Sequence, residues 1–236
     1  MDITLETPDG PMRAVEFRPA GEVRGGLVVI QEAFGVNAHI ADVTERAAAA
    51  GFHAVAPELF HRGGPGLTAE YGDFEKVIEC FGAVPGDDAV LADVDAALDH
   101  LRACGFSDDR LGVVGFCFGG RATFLVARHR AIGAAVGFYG GGIVRARFPQ
   151  FPPLVSGAGE LQTPWLGLFG DLDGSIPPDE VEELRAALAA APVATEIVRY
   201  PDAGHGFHCD GRDDYRVADA RDAWGRTLDW LDTHLA

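Results

Sequence analysis

A chain of 236 residues, 47% hydrophobic and 23% charged, is long enough to bury one good core and has the composition of an ordinary soluble globular protein. Its net charge of −17, with no Lys/Arg cluster, speaks against nucleic acid or an anionic membrane as a partner, and no apolar run approaches a membrane span. The acidic start "MDITLETPDG" has no apolar signal-peptide core, so a cytoplasmic protein is expected.

In chain order, "ITLETPDGPMRAVEFRP" predicts two short strands around an Asp9-Gly10 turn. "GGLVVIQE" is a continuous apolar run ended by Glu32, the pattern of a strand buried on both faces. "HIADVTERAAAAG" reads as a helix stopped by Gly51, and "FHAVAPELF" as a second buried strand. Residues 61–86 are rich in glycine and proline, and predict a loop-rich excursion with one helix near 70–81. A helix over 87–103 follows, with Val90, Leu91, Val94, Leu98 and Leu101 on one face. "RLGVVGF" is a strand, "GRATFLVARHR" a helix and "AIGAAVGFYG" a strand. After a loop over 140–163 come the strand "PWLGLFG", the helix "PPDEVEELRAALAAA", the strand "ATEIVRYP" and a final helix from about 213 to 234. No repeat or shift in composition divides the chain, so residues 1–236 are expected to form one domain.

Alternating apolar strands and helices predict an α/β fold, a mostly parallel twisted sheet with helices on both faces and an N-terminal antiparallel hairpin. Reactive loops in such sheets lie at the carboxyl ends of strands. Glu32, Cys117, the pair Asp171 and Asp173, and His205 all follow predicted strands.

Gly115-Phe116-Cys117-Phe118-Gly119 has the form of a nucleophile elbow with cysteine in place of serine. A nucleophile on a sharp strand-to-helix turn crowds the residues two positions to either side, and glycine removes the clash. The helix dipole favours a thiolate there, and the Phe118 N–H can meet a developing oxyanion. His205, between Gly204 and Gly206, has the freedom to act as general base. Its carboxylate partner is Asp171 or Asp173, and the order Cys, Asp, His is that of the α/β-hydrolase fold. An acid at the end of a buried strand is costly unless paired or wet, so Glu32 is read as a proton acceptor touching the thiol. Cys80, Cys104 and Cys209 have no comparable setting and are read as inert free thiols. His208 beside Cys209 lacks a third ligand at usable spacing, so no metal or cofactor is expected.

With "QEAFGVN" at 31–37, "APELF" at 56–60, "GFCFGG" at 115–120, "FYG" at 138–140, "GDLDGSIP" at 170–177 and "AGHGFH" at 203–208, the chain resembles the dienelactone hydrolase family over most of its length. The resemblance implies an α/β-hydrolase fold and selects Asp173 as the triad acid, because the family pattern lands on Gly170, Asp173, Ile176 and Pro177. It implies Cys117 as nucleophile, His205 as base, Glu32 as the acid that holds the thiol and takes its proton, and the N–H groups of Ala33 and Phe118 as oxyanion hole. The implied reaction is opening of an activated lactone or enol ester through an acyl-thioester, by a monomer or homodimer acting on a small molecule. Family members bind the substrate carboxylate with two arginines. Here the position four after His205 is Cys209, the nearest arginine is Arg212, and Arg62 is the arginine of the excursion. Phe34, Tyr139 and Phe207 suit a small planar substrate. Competing readings are a carboxylesterase or thioesterase with the same triad, a noncatalytic receptor on the same fold, and a thiol sensor built on Cys117.

Overall fold

A computed structural model describes all 236 residues. Eight strands form one sheet: β1 (Asp2–Thr7), β2 (Gly10–Phe17), β3 (Gly25–Ile30), β4 (Phe52–Pro57), β5 (Leu111–Phe116), β6 (Ala134–Phe138), β7 (Trp165–Gly170) and β8 (Thr195–Tyr200). Six α-helices accompany them: α1 (Ala38–Ala49), α2 (Phe74–Gly82), α3 (Asp87–Ala103), α4 (Phe118–His129), α5 (Pro178–Leu188) and α6 (Val217–His234). The spatial order is β1-β2-β4-β3-β5-β6-β7-β8. β1/β2 and β2/β4 pair antiparallel and the remaining pairs are parallel. This is the α/β-hydrolase architecture that the sequence predicted.

Every residue of β3, β4, β5, β6 and β7 is buried, so helices cover both faces, as parallel strands require. The edge strand β8 is only partly buried. One apolar cluster runs through the sheet and into the helix faces, including Val90, Leu91, Val94, Leu98 and Leu101 of α3. No helix is long and apolar enough to cross a membrane.

The topology creates a switch point. From β3 the chain steps to β4 on one side, then returns to place β5 on the other. Ligands of open α/β sheets bind at such a switch point, outside the carboxyl ends of the strands. Glu32 follows β3 and Cys117 follows β5.

Two helices begin later than predicted. Before α2, the Asp73 side chain caps the Lys76 N–H at 3.0 Å, so the helix starts at Phe74. Before α6, the Arg216 N–H donates to the Phe207 carbonyl at 3.0 Å, which ties residues 213–216 to the loop after β8. The 140–163 loop carries a short 3-10 turn at Val155–Glu160. It is pinned by Arg121, a buried arginine that holds Asp87 at 2.6 and 2.9 Å and the Pro152 carbonyl at 2.7 Å.

Candidate active site

Cys117 stands where β5 ends and α4 begins, with φ 53° and ψ −110°. A non-glycine residue held at positive φ costs roughly 1–3 kcal/mol. The other such residue is Tyr139, at φ 37°, directly after β6 in the neighbouring strand. Both strained residues thus fall on one edge of the sheet. Glycine is required around the turn, since a Cβ at Gly115 would strike the Gly119 carbonyl and one at Gly119 would strike those of Ile30 and Gln31. The Gly119 N–H donates to the Gln31 carbonyl at 3.0 Å, which draws the end of β3 up to the elbow. The N–H groups of Ala33 and Phe118 donate to no acceptor within the chain. Phe118 opens α4, where free N–H groups and the helix dipole favour negative charge.

Asp173, rather than Asp171, meets the histidine. Its Oδ2 lies 2.6 Å from His205 Nδ1. Its Oδ1 accepts the Ser175 hydroxyl at 2.6 Å and the Ser175 N–H at 2.8 Å, which fixes the carboxylate plane. These bonds outweigh burial and hold Asp173 below the usual carboxylate range. Asp171 is taken by Arg199 at 2.6 Å. Burial opposes a charge on His205, but the Cys117 sulfur and the Asp173 carboxylate together raise its pKa to about 10. The imidazolium is therefore the favoured form of His205.

Glu32 is fully buried, and neither carboxylate oxygen has a hydrogen-bond partner of good geometry. Burial raises its pKa, while Arg212, His205 and the hydroxyls of Tyr139 and Tyr71 pull it partly back. Arg212 Nη1 is 3.7 Å from Glu32 Oε1. Its guanidinium lies over the rings of Phe34 at 5.7 Å and Tyr71 at 5.8 Å, and packs on Gly206, where a Cβ would be 2.7 Å from it. The Tyr139 hydroxyl is buried without a hydrogen-bond partner, and burial with the Glu32 charge keeps it protonated. Its ring sits 5.1 Å from that of His205.

The aromatic wall joins three segments that are distant in sequence. Phe81 of α2 stacks on Phe148 at 4.2 Å and meets Phe118 edge-on at 5.0 Å, and Phe118 leans on Phe151 at 5.2 Å. Phe34 is buried and edge-on to Tyr71 at 4.7 Å. Phe207 is fully buried against Tyr139 and Tyr200, so it backs the site from the core rather than lining it.

Arg62 corrects the sequence reading. Both of its terminal nitrogens hold Asp93, at 2.7 and 2.9 Å, and its Nε holds Asp9 at 2.7 Å. It lines a cleft with Thr4, Pro11 and Arg13 that includes none of Cys117, Asp173 and His205. A buried carboxylate on α3 claims it, and no local pattern advertised that partner. Sequence reasoning missed Tyr71, Ser175 and the placement of Arg212. Ser175, two residues past Asp173, carried the one local signal, a hydroxyl able to fold back onto the acid. A separate cleft of about 280 Å³ among Leu166, Glu196, Arg226, Trp230 and His234 includes none of Cys117, Asp173 and His205.

Comparison with known proteins identifies the family. An Escherichia coli O157:H7 protein assigned as a carboxymethylenebutenolidase is 42% identical over 208 residues, covering 87% of this chain and 75% of its own. A Bradyrhizobium protein assigned as a 2-oxo-3-(5-oxofuran-2-ylidene)propanoate lactonase is 35% identical over 89% of this chain and 84% of its own. A crystal structure from Klebsiella pneumoniae, assigned as a dienelactone hydrolase, superposes with a TM-score of 0.90 at 39% identity, covering 98% of this chain and 97% of that one. The profile of the dienelactone hydrolase family matches residues 12–235, and the chain belongs to that family.

Proposed function

We propose that the protein hydrolyses an activated lactone or enol ester with Cys117 as nucleophile. The observation that carries this reading is the strained Cys117 on the elbow, facing a His205 that Asp173 holds at 2.6 Å. The Cys117 thiolate attacks the ester carbonyl, and the oxyanion takes hydrogen bonds from the Ala33 and Phe118 N–H groups. The C–O bond of the ring breaks, and the leaving enolate takes a proton from the His205 imidazolium. Water, deprotonated by His205, then attacks the thioester, releasing the acid and the thiolate. A thiolate suits such substrates because an enolate leaves more readily than the thiolate itself. A simple alkoxide would not, so ordinary alkyl esters are poor substrates.

Glu32 takes up the thiol proton as the substrate arrives and returns it to the thiolate when the product acid leaves. Burial has raised its affinity for a proton, which is what that role requires. Arg212 supplies the positive charge for a substrate carboxylate in place of the family arginine whose position Cys209 occupies. The Bradyrhizobium relative is named for a lactone that carries a propanoate, and a substrate with that combination fits a guanidinium beside an aromatic wall.

The test is turnover of a dienelactone, followed by loss of its ultraviolet absorbance, with Cys117→Ala alongside. Wild type turns over, and the variant falls by about 10⁴-fold or more, the scale on which removing a nucleophile acts. Retained turnover in Cys117→Ala sinks the assignment.

A further inference from the structure

Beside the proposed active site, the fold leaves three ligand-type side chains facing one another. His39, in the first turn of α1, is 7% exposed, and neither ring nitrogen has a hydrogen-bond partner. Glu32 is fully buried with both oxygens in the same state. Cys209 is fully buried, with its thiol 3.1 Å from the Tyr71 hydroxyl and beside the Gly211 backbone. One ligand atom from each of the three lies within 4.8 Å of the other two.

We propose that Glu32, His39 and Cys209 form a binding site for a zinc-class divalent cation, and that its occupancy stops hydrolysis by withdrawing Glu32. The binding claim stands on this geometry alone; the inhibition rests on the proposed role of Glu32.

An imidazole nitrogen, a thiolate and a carboxylate are the ligand set of a borderline metal such as zinc, not of calcium or magnesium. Zinc bonds of about 2.0–2.3 Å set tetrahedral ligand atoms roughly 3.5 Å apart, so side-chain rotations of about an ångström close the site. Burial, aided by the Arg46 charge, holds His39 at a pKa of about 4, so its ring is neutral and a lone pair is available. Cys209 gives up its proton on ligation: thiol and cation yield the metal thiolate and one proton. The two anionic ligands then balance the cation, relieving the buried carboxylate. Asp210 approaches His39 Nδ1 to 3.9 Å, too far to satisfy it.

A cleft of about 460 Å³ lined by His39, Tyr71, Asp210 and Gly211 gives a path from solvent. It leaves the fourth coordination position to water. Arg212, 3.7 Å from Glu32, must yield to the cation, which sets the affinity below that of a dedicated structural zinc site. His53, His100 and Cys104 also come together, but Glu16 already bonds both imidazoles at 2.8 Å. That second group therefore has no unmet demand.

The experiment adds Co²⁺ to protein carrying Cys104→Ser and Cys117→Ala, so that Cys209 is the thiol in reach. One equivalent is expected to produce a sulfur-to-cobalt charge-transfer band with the visible absorption of a tetrahedral ion. Adding Cys209→Ser abolishes that band, and His39→Gln weakens binding by about tenfold or more. In the otherwise unaltered enzyme, Zn²⁺ slows lactone hydrolysis reversibly. Cys209→Ser escapes that inhibition when each protein is compared with its own zinc-free rate. The proposal is overturned by the absence of a band in the starting protein, or by a band that survives Cys209→Ser. If Cys209→Ser does not fold, undiminished affinity in His39→Gln overturns it instead. A band that behaves as expected in a protein that hydrolyses no lactone or ester upholds the site and removes the proposed function.

Discussion

Two buried glutamates, one within and one just past the strands flanking β4, behave in opposite ways. Glu16, in β2, is 1% exposed, and Glu32, past β3, is wholly buried. Burial pushes both toward the protonated form. At Glu16 it loses, because His100 and His53 each bond the carboxylate at 2.8 Å and Arg18 reaches it at 3.2 and 3.3 Å, so the pKa falls to about 2. At Glu32 burial wins, because Arg212 stands off at 3.7 Å and neither oxygen has a well-formed bond, so the pKa rises. Low surface exposure therefore does not fix which way a carboxyl moves; the depth of burial, shallower at Glu16, and the partners decide together. A saturated acid holds structure, and one denied its partners is left ready for a proton or a cation. The strain at Cys117 and Tyr139 lies at the end of the sheet where partners are withheld.

The largest expected effect tests the saturated side. Glu16→Ala strands the His53 and His100 imidazoles around a hole, and stability should fall by about 3–5 kcal/mol in urea unfolding, with activity per folded molecule unchanged. A loss under about 1 kcal/mol would break the comparison. Glu32→Gln should do the reverse, with turnover down about 100-fold and stability within about 1 kcal/mol of wild type. Next, Arg212→Gln should raise KM for a carboxylate-bearing lactone about tenfold while kcat moves less. Equal KM for lactones with and without a carboxylate in wild type would remove that role from Arg212.

The smallest effects lie in pH. Glu16 binds fewer protons folded than unfolded, so the stability it contributes is present above pH 4.5 and is lost as pH falls toward about 2. Glu16→Gln should flatten that acid limb. His205 has the opposite sign. Its folded pKa of about 10 exceeds the ordinary 6.5, so its contribution is complete below pH 6.5 and fades as pH rises to about 10. Unfolding midpoints measured across both windows should show His205→Gln flatter only on the alkaline side.

The parts legible in sequence were those whose physics is local. Alternating apolar runs announced the strands, since strands buried on both faces need continuous apolar residues. The glycines at 115 and 119 announced the elbow, since one tight turn demands both. The aspartate at 173 needed the family pattern, because nothing local separated it from Asp171; in the fold Arg199 takes one and His205 the other. The late starts of α2 and α6 were hidden for a related reason. Periodicity reports which face is apolar, whereas the boundary before α6 depends on a bond to Phe207 across a loop.

Sequence by itself determined the fold class and placed Cys117, the two candidate aspartates and His205 after strands, at the edge of the sheet where Cys117, Asp173 and His205 meet. Only the tertiary structure decided partners. It sent Arg62 to Asp93, set Arg212 against Glu32, and brought His39 and Cys209 to the same carboxylate. The physical reason is that backbone preference acts over a few residues, while the charge or lone pair that a buried side chain meets is set by which loops the sheet order makes neighbours.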